Sequence, residues 1–586
     1  MKPAGTLLFF ATLFASNNCF AQRAQFDGPA ELPRVYVTSS LSATPSHGKI
    51  ISVHSGDNLQ AAIDSATCGD RIELQAGAVF AGNFRFPEKP CDDAHWITVR
   101  TSAPDSALPP EGTRLKPCFA GITSLPGRPD FHCATTQNVL AKLEFNKNSG
   151  VGPIIFLSGA NHYRFVGLEV TRSAGTSLDS ALTIAKDEAV ANHLIFDRVW
   201  MHGNAQDETT RALALAGTSY VAVVDSYFSD FHCIAVTGAC TDAQVISDGG
   251  GNTPSGPFKI VNNFLEASGQ SILFGGGGAT MTPADIEIRG NHLFKPMIWK
   301  PGESGFVSGA SGRPFIVKNL FELKNAQRVL FENNILENCW GGFSQNGYAV
   351  LLTPKNQNNH CPLCRVTDVT LRYNRIANVG SVFQIANIAS DAGGAASAGE
   401  RYSIHDLLAE NVRGNQEQFE GAGLFAQVLS ISPALKDVQI AHSTAFVPRA
   451  TFAIMTKGSK LANFKIENNL LSTGQYSIIS SGGGAANCAH KPSMQGPSGV
   501  WKSCFVNSSF THNLMIGDGG WPQGNWSVKD AHAAGVIEAP GRPYELCAEK
   551  SGKDCKKASP ARHAGIDGKD LGVDLEMLQQ KLAGVE

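Results

Sequence analysis

The chain has 586 residues and a formal net charge of -3, with a sequence pI of about 6.6. This near-neutral balance argues against a nucleic-acid-binding protein, which normally carries a basic stripe, although an acidic substrate could still bind in a local basic groove. With 42% hydrophobic and 17% charged residues, the composition excludes a disordered chain and indicates an ordered, loop-rich one.

The first residues predict a secretory signal peptide. The segment MKPAGTLLFFATLFASNNCFA (1–21) has a lysine, an apolar stretch too short to span a bilayer, and the small residue Ala21 at its end. Nothing later offers 18 consecutive apolar residues, so no membrane span is expected. We therefore expect a secreted or periplasmic protein cleaved before Gln22. Residues 22–48, with prolines among Ser and Thr, predict a lead-in segment.

The cysteine spacing indicates local disulfides in an oxidising compartment. Removing Cys19 with the signal peptide leaves 13 of the 14 cysteines, so one thiol should stay unpaired. The run HCPLC (360–364) could be half of a zinc site, but no second CxxC or HxxxH completes it, which favours disulfides or a free thiol. The close pairs are Cys118/Cys133, Cys233/Cys240, Cys488/Cys504 and Cys547/Cys555.

A short motif recurs along most of the chain. It reads FKIVNNFLEAS at 258–268, VLFENNILENC at 329–339 and FKIENNLLST at 464–473, and a second β-rich run such as SILFGGGG or LFELKNAQ lies between the copies. Recurrence every few tens of residues is typical of a solenoid. The Asn should occupy bends that need a left-handed backbone, and stacked Asn side chains should hydrogen-bond each other.

These repeats predict an all-β fold, a single-stranded parallel β-helix over residues 49–545 that is followed by a capping segment at 546–586. Helical periodicity is almost confined to 58–67 and 570–582, which predicts an N-terminal helical cap and a C-terminal helix. Although the length would usually suggest several domains, the repeat runs nearly end to end and favours one elongated domain.

The segment NLQAAIDSATCGDRIELQAGAVFAGNFRF (58–86) resembles the N-terminal cap of the pectin-lyase-like right-handed β-helix superfamily, and GIDGKDLGVDLEML (565–578) is similar to the closing segment of many secreted bacterial members. The resemblance implies a right-handed coil. It leaves the reaction open among polysaccharide lyases, glycoside hydrolases, epimerases and non-catalytic adhesins. The motifs of polygalacturonases, pectate lyases and pectin methylesterases are missing. The β-helical chondroitinase and alginate lyases are closest in layout, with a Gly-Leu-Glu segment at 167–169.

The strand 320–324 contains the most prominent candidate site. If Phe321 and Leu323 point into the coil, Glu322 and Lys324 point outward. Equivalent outward positions are mostly small, as at Ala214, Ala216 and Gly275. A Glu beside a Lys on such a face suits a carbohydrate subsite, whereas an exposed ion pair would contribute little to stability.

Polar residues also concentrate in the loops of the middle coils, where successive turns should bring them together. Elimination on a uronate polymer needs a cation or metal to neutralise the carboxylate and a base to take the neighbouring proton; Lys324, Arg211 and His232 are eligible. Hydrolysis needs two carboxyl groups, and Glu266, Glu322, Asp207 and Asp242 are available without an identifiable pair. The full set comprises the catalytic candidates Lys324, Glu322, His232, Arg211 and Glu266, and the substrate-binding candidates His202, Lys300, Gln345 and Asn346.

A loop in the same region could bind calcium. Asp242 and Asp248 supply the oxygen ligands that calcium prefers. The spacing is not that of a recognised calcium loop, and Asp-Gly more often forms a turn. Calcium is therefore the one cofactor that the sequence suggests.

Three classes of function follow. The first is a secreted carbohydrate-active enzyme, with β-elimination by a polysaccharide lyase favoured and a glycoside hydrolase as the alternative. The second is a non-catalytic glycan-binding or cell-surface protein, and the third is a structural β-helix. Long, unequal loops around the middle coils favour a binding or catalytic site there over a purely structural role. We expect a polysaccharide partner, no nucleic acid, and a monomer.

Overall fold

The computed structural model describes residues 24–147, 150–175, 178–185, 190–234, 242–249, 251–343, 345–415, 419–431, 433–537, 543–550 and 555–586. The predicted signal peptide at 1–21 and Cys240 lie outside these ranges.

Each turn of the chain contributes strands to three parallel sheets, which we call sheets I, II and III. Within the described ranges, sheet I has 15 strands, sheet II has 14 and sheet III has 12. Sheet I contains Ile50–Val53, Arg71–Leu74, Ile97–Thr101, Asn161–Val166, Asn192–Asp197, Ser219–Val224, Phe258–Val261, Ala284–Arg289, Ala326–Glu332, Arg365–Arg372, Ala398–His405, Lys436–Ala441, Leu461–Glu467, Phe505–Val506 and Ser509–Thr511.

The other two sheets follow sheet I along each turn. Sheet II contains Val79–Ala81, Ala141–Phe145, Leu168–Arg172, Trp200–His202, Tyr227–Phe231, Phe264–Ala267, His292–Phe294, Ile335–Cys339, Arg375–Val379, Leu408–Val412, Thr444–Ala445, Leu470–Ser472, Leu514–Ile516 and Trp526–Val528. Sheet III contains Phe84–Phe86, Ile154–Phe156, Leu178–Ala185, Thr209–Ala214, Gln244–Asp248, Gln270–Phe274, Phe321–Leu323, Tyr348–Leu352, Ser381–Asn387, Leu424–Ser430, Ala450–Thr456 and Ile478–Ser480.

Strands pair in parallel with their equivalents one turn away. Phe165 is paired with Phe196 in sheet I, for example, and their rings stack with centroids 5.2 Å apart. The predicted parallel β-helix is therefore confirmed, while its right-handed sense stays a prediction. One continuous apolar core runs inside the coil and includes Phe321 and Leu323, which point inward as predicted.

The predicted Asn stack lies at the corner between sheets I and II. Asn263, Asn291 and Asn334 are fully buried, and each donates its side-chain amide to the Oδ1 of the next stacked Asn, over 2.9, 3.0 and 3.3 Å, the last bond reaching Asn374. The left-handed residue is the one before each stacked Asn. It is an Asn at 262, with φ of 60°, but Tyr373, with φ of 54°, fills the same role. Two positions thus share the corner: one bends the chain, and the other satisfies its buried polar groups.

In the part of the chain that the structure describes, three α-helices accompany the sheets, over Leu59–Ser65, Pro497–Cys504 and Leu575–Leu582. The first begins at Asn58, whose side chain accepts a hydrogen bond from the Ala61 N–H, and it buries Leu59 and Ile63 in the main core. The last helix, Leu575–Leu582, corresponds to the predicted C-terminal helix. It lies beside Ile335 and Leu408 on the side of sheet II. Short 3₁₀ helices cover Leu41–Ala43, Asp105–Ala107, Pro117–Phe119, Met297–Trp299, Gln357–Asn359, Gly484–Ala486 and Pro492–Gln495.

The lead-in segment lies along the outside of sheet I. A hairpin of Phe26–Asp27 and Ala30–Glu31 opens it. His405 of sheet I bonds to the Asp27 carboxylate over 3.0 Å, and buried Arg164 donates to the Ser39 carbonyl over 2.8 Å. These contacts fix the segment to the coil.

Five disulfides link described cysteines: Cys68–Cys91, Cys118–Cys133, Cys361–Cys364, Cys488–Cys504 and Cys547–Cys555. Three of the predicted pairs are confirmed, and the HCPLC run forms a disulfide within itself. Cys233 is also disulfide-bonded. Cys339 is a free, buried thiol. Among the described residues, no helix is both long and apolar enough to cross a membrane.

Candidate functional site

The outer face of sheet III carries a row of residues in register. Ala214, Ser247, Leu273, Glu322 and Leu351 follow one another on successive turns. Uncharged neighbours on both sides leave Glu322 as the charged position in this part of the row. Phe321 and Leu323 point into the core, so Glu322 points outward as expected, but its neighbours in register are Leu273 and Leu351 and not the small residues that the sequence predicted.

A line of hydrogen bonds runs through Glu322 along this face. Its Oε2 accepts from the Gln270 amide over 2.9 Å, and its Oε1 lies 3.3 Å from the Lys324 ammonium. On the other side, Gln244 donates to Gln270 over 3.3 Å, and Arg211 donates to Gln244 over 2.8 Å. The structure therefore connects three of the predicted catalytic residues, Arg211, Glu322 and Lys324, through two glutamines.

A second carboxylate joins the same network. Asp242 forms an ion pair with Lys318. Gln270 Nε2 also lies 3.4 Å from Asp242 Oδ1, so one amide nitrogen contacts both carboxylates. The two bonded oxygens are consequently no farther apart than the sum of 3.4 and 2.9 Å. Sequence reasoning named both acids but could not pair them, whereas their contacts with Gln270 bring them close together.

The four charged groups differ in how far they reach solvent. The Lys324 and Asp242 side chains are 23% and 35% exposed, whereas Lys318 is 12% and Glu322 only 3% exposed. A ligand in the groove would meet Lys324 and Asp242 first. Glu322 lies beneath them and holds Lys324 in place.

The charges of this network reinforce one another. The Glu322 carboxylate raises the pKa of Lys324 against the effect of burial, so Lys324 is an ammonium at neutral pH. Burial alone would raise the pKa of Asp242, but Lys318 and Lys324 lower it overall. Burial lowers the pKa of Arg211. The resting groove thus presents an accessible cation next to an accessible anion.

An aromatic pocket of about 440 Å³ adjoins the network. Trp340, Phe343 and Phe315 line it together with Lys300 and Glu420. Lys318 Nζ lies 5.7 Å from the centre of the Phe343 ring and connects the pocket to the charged network. We call the network and this pocket together the sheet III groove.

One predicted substrate-binding residue, Lys300, lines the pocket, and two others, Gln345 and Asn346, lie in the hairpin that carries Phe343. Phe343 lies between the two strands of a hairpin, Gly341–Gly342 and Gln345–Asn346, and its side chain is 54% exposed. Lys300 is buried behind Pro301 and is 3.3 Å from Glu303. Gln345 and Asn346 therefore position the exposed ring, and Lys300 forms part of the pocket wall.

Glu266 lies elsewhere, on the outer face of sheet II. Arg128 donates two hydrogen bonds to its carboxylate, over 2.8 and 2.7 Å, and also binds Asp230. Glu266 is fully buried, and the Arg128 side chain is 5% exposed. Burial would lower the pKa of Arg128, but Glu266 and Asp230 raise it overall. This arrangement is an enclosed ion pair under the segment that carries Arg128.

Two predicted histidines also lie outside the sheet III network. His232 is fully buried, stacks on Phe315 with centroids 3.8 Å apart, and bonds the Asn204 carbonyl through Nε2. Burial lowers its pKa to about 4, so it is neutral and supports the pocket wall from behind. His202, on sheet II, bonds Glu169 over 3.1 Å and stacks on Trp200.

The two residues suggested for calcium are at opposite ends of a strand. Asp242 precedes Gln244–Asp248 and pairs with Lys318, while Asp248 ends that strand, is buried, and accepts a hydrogen bond from Ser255. A rise of about 3.3 Å per residue separates them too widely to share one ion. The structure does not bring them together.

Sequence reasoning missed Lys318, Gln244, Trp340 and Phe343 as site residues. The two glutamines open consecutive strands, AQVISD and GQSILF, and this repetition was a usable signal. Lys318 and Phe343 gave none, because the contacts of Lys318 with Asp242 and with the Phe343 ring depend on how long insertions fold back. Asp242 and Lys318 are 76 positions apart in the sequence.

No model of a known protein family matches this chain. No characterised protein sequence matches it either. Several solved structures are similar to it in fold. A mannuronic-acid-specific polysaccharide family 6 lyase from human gut microbiota is 10% identical over 83% of this chain and 92% of its own, with a TM-score of 0.46. The catalytic domain of a GH87 α-1,3-glucanase is 10% identical over 82% and 70%, with a TM-score of 0.45.

A PL6 family alginate lyase is 11% identical over 90% of this chain, with a TM-score of 0.40. This chain spans 58% of the length of that lyase. At such identities and TM-scores, these likenesses carry no argument about activity. The chain's own strand pairing shows the parallel β-helix.

Proposed function

We propose that this protein is a carbohydrate-active enzyme, a polysaccharide lyase that cleaves a uronate-containing polymer by β-elimination in the sheet III groove. One observation carries the proposal: Lys324 and Lys318 are paired with Glu322 and Asp242 across one shared amide, beside an aromatic pocket. The five disulfides between described cysteines support an oxidising, secreted or periplasmic location.

Elimination begins with neutralising the substrate carboxylate. Lys324 is cationic because Glu322 raises its pKa, and it reaches solvent. Arg211 lies farther along the same line of hydrogen bonds. A uronate carboxylate bound against this ammonium acidifies the neighbouring C–H bond, since preorganised cations stabilise the developing enolate.

The proton acceptor must be unprotonated and accessible. Lys324 does not meet the first condition, and buried His232 does not meet the second. Asp242 meets both, because the two lysines lower its pKa and 35% of its side chain is exposed. In this scheme Asp242 takes the proton, the bond to the leaving oxygen breaks as the carbon–carbon double bond forms, and Lys324 donates a proton to that oxygen.

Glu322 and Gln270 act as positioning residues. Glu322 has almost no exposed surface, so its role is to hold Lys324 charged and in place. Gln270 fixes both carboxylates from one nitrogen. The aromatic pocket would hold a neighbouring sugar through the faces of Trp340 and Phe343, as apolar pocket walls commonly do.

A glycoside hydrolase is the second candidate, because Asp242 and Glu322 are close enough to form a carboxyl pair. Hydrolysis also requires that one of them be held protonated. Lys318 and Lys324 instead lower the pKa of Asp242, and Glu322 lies in an ion pair with Lys324. The charge pattern therefore favours elimination.

The test is an assay of the purified secreted form on a panel of uronate and neutral polysaccharides, following unsaturated-uronate ultraviolet absorbance and reducing ends in parallel. It is run with and without calcium, since uronate and Asp242 carboxylates are ligands that calcium accepts. We expect absorbance to rise on a uronate polymer. New reducing ends without a rise in absorbance would establish a hydrolase. No signal in either assay on any polymer would overturn both the lyase and the hydrolase, in favour of glycan binding or a structural role.

A further inference from the structure

Three side chains converge on the outside of sheet I, near its N-terminal end. His162 and His193 lie at the starts of strands Asn161–Val166 and Asn192–Asp197, which pair so that the two histidines occupy equivalent positions on successive turns. Their rings stack in parallel, with centroids 4.4 Å apart and planes 5° apart. Asp93 approaches both from the loop before strand Ile97–Thr101.

Both histidines have the same hydrogen-bonding arrangement. Nδ1 of His162 contacts the Asn161 side-chain oxygen at 2.8 Å, and Nδ1 of His193 contacts the Asn192 oxygen at 2.6 Å. Asn161 is fixed in this orientation because its Nδ2 donates to the Lys89 and Gly159 carbonyls. An amide oxygen only accepts, so each Nδ1 carries the hydrogen and each neutral ring keeps a lone pair on Nε2.

The two Nε2 atoms face one carboxylate oxygen. Asp93 Oδ1 lies 3.4 Å from His162 Nε2 and 3.8 Å from His193 Nε2, and the three ligand atoms all lie within 4.8 Å of one another. With the hydrogen on Nδ1 of each neutral ring, two Nε2 lone pairs and one carboxylate oxygen face one another, an arrangement that a bound cation would stabilise.

We propose that Asp93, His162 and His193 bind a divalent transition-metal ion such as Zn²⁺ through the two Nε2 atoms and the carboxylate. Tetrahedral zinc, with bonds of about 2.0–2.1 Å, places its ligand atoms roughly 3.3 Å apart. Two imidazoles with one carboxylate suit zinc, copper, nickel or cobalt better than calcium or magnesium. The Asn161 and Asn192 oxygens orient the imidazoles, as outer partners do in zinc proteins.

The bound ion would link the coil to the loop in which Asp93 lies. Cys91 in the same loop is already tied to Cys68, so the loop has one covalent anchor and the metal would add a second. The Asp93 side chain is 84% exposed. The fourth coordination position is therefore open to water or to a ligand from solution.

The test is calorimetric titration of the full mature chain, made without a polyhistidine tag and freed of metal by chelator, with Zn²⁺, and separately the absorption spectrum with Co²⁺. We expect one ion per chain, a tetrahedral cobalt spectrum, and at least tenfold weaker binding in Asp93→Ala and His193→Ala. Because Asp93 is exposed, its variant should fold normally, and the exposed His54→Ala is the matched control that should bind like the wild type. Absence of uptake, or equal affinity in Asp93→Ala and the wild type, would overturn the proposal.

Discussion

Glu266 and Glu322 lie on neighbouring outer faces of the coil, each in an ion pair with a basic side chain. The partner of Glu266 is Arg128, 138 residues away in a segment that covers sheet II and encloses the pair. The partner of Glu322 is Lys324, two residues along the same face, which stays 23% exposed. A carboxylate that a distant segment covers stabilises the fold. A carboxylate beneath an exposed cation can instead help that cation to bind a ligand.

The largest effect should come from opening the enclosed pair. Arg128→Ala leaves Glu266 buried without its cation, and we expect a loss of about 3–5 kcal/mol in the free energy of unfolding. Urea unfolding measures this change. Arg313→Ala, at an exposed arginine, is the control and should stay within about 0.5 kcal/mol of the wild type. A loss below about 1 kcal/mol for Arg128→Ala would contradict a structural role for the sheet II pair.

Removing the exposed cation of the other pair should affect turnover more than stability. Lys324→Ala deletes the ammonium that neutralises the substrate, and we expect kcat to fall by about 10²–10³-fold. Lys259→Ala, at an outward lysine of sheet I, is the matched control and should leave kcat unchanged. Equal rates in both variants would place the chemistry elsewhere.

Glu322→Gln tests whether Glu322 acts through Lys324. The negative charge of Glu322 raises the pKa of Lys324, so its removal lowers that pKa, and the ammonium is lost at a lower pH. We expect kcat to fall by roughly tenfold at neutral pH, within the range that proton transfer contributes. The alkaline limb of the pH profile should also move to lower pH. An unshifted limb would mean that Glu322 supports only the strand.

Much of this architecture was predictable because it repeats. Phe321 and Leu323 alternate with Glu322 in the pattern that strands require, and the paired Asn residues mark the same corner on many turns. The contacts that decide function do not repeat. Arg128 reaches Glu266 and Lys318 reaches Asp242 only because long insertions fold back, and no local pattern encodes those distances.

The smallest effect should come from the aromatic pocket. Phe343→Ala removes an exposed ring beside Lys318, and we expect KM to rise about fivefold, which corresponds to about 1 kcal/mol, with kcat nearly unchanged. Phe26→Ala, at an exposed phenylalanine of the lead-in segment, should leave both constants unchanged. A large loss of kcat in Phe343→Ala would instead place the ring at the reacting sugar.

The most direct test of the contrast between the two faces is backbone hydrogen exchange with and without a uronate oligosaccharide. We predict protection in strands Gln244–Asp248 and Phe321–Leu323 and at the hairpin of Phe343, with no change in Phe264–Ala267 of sheet II. Protection confined to sheet II and the segment that carries Arg128 would contradict the sheet III groove as the site.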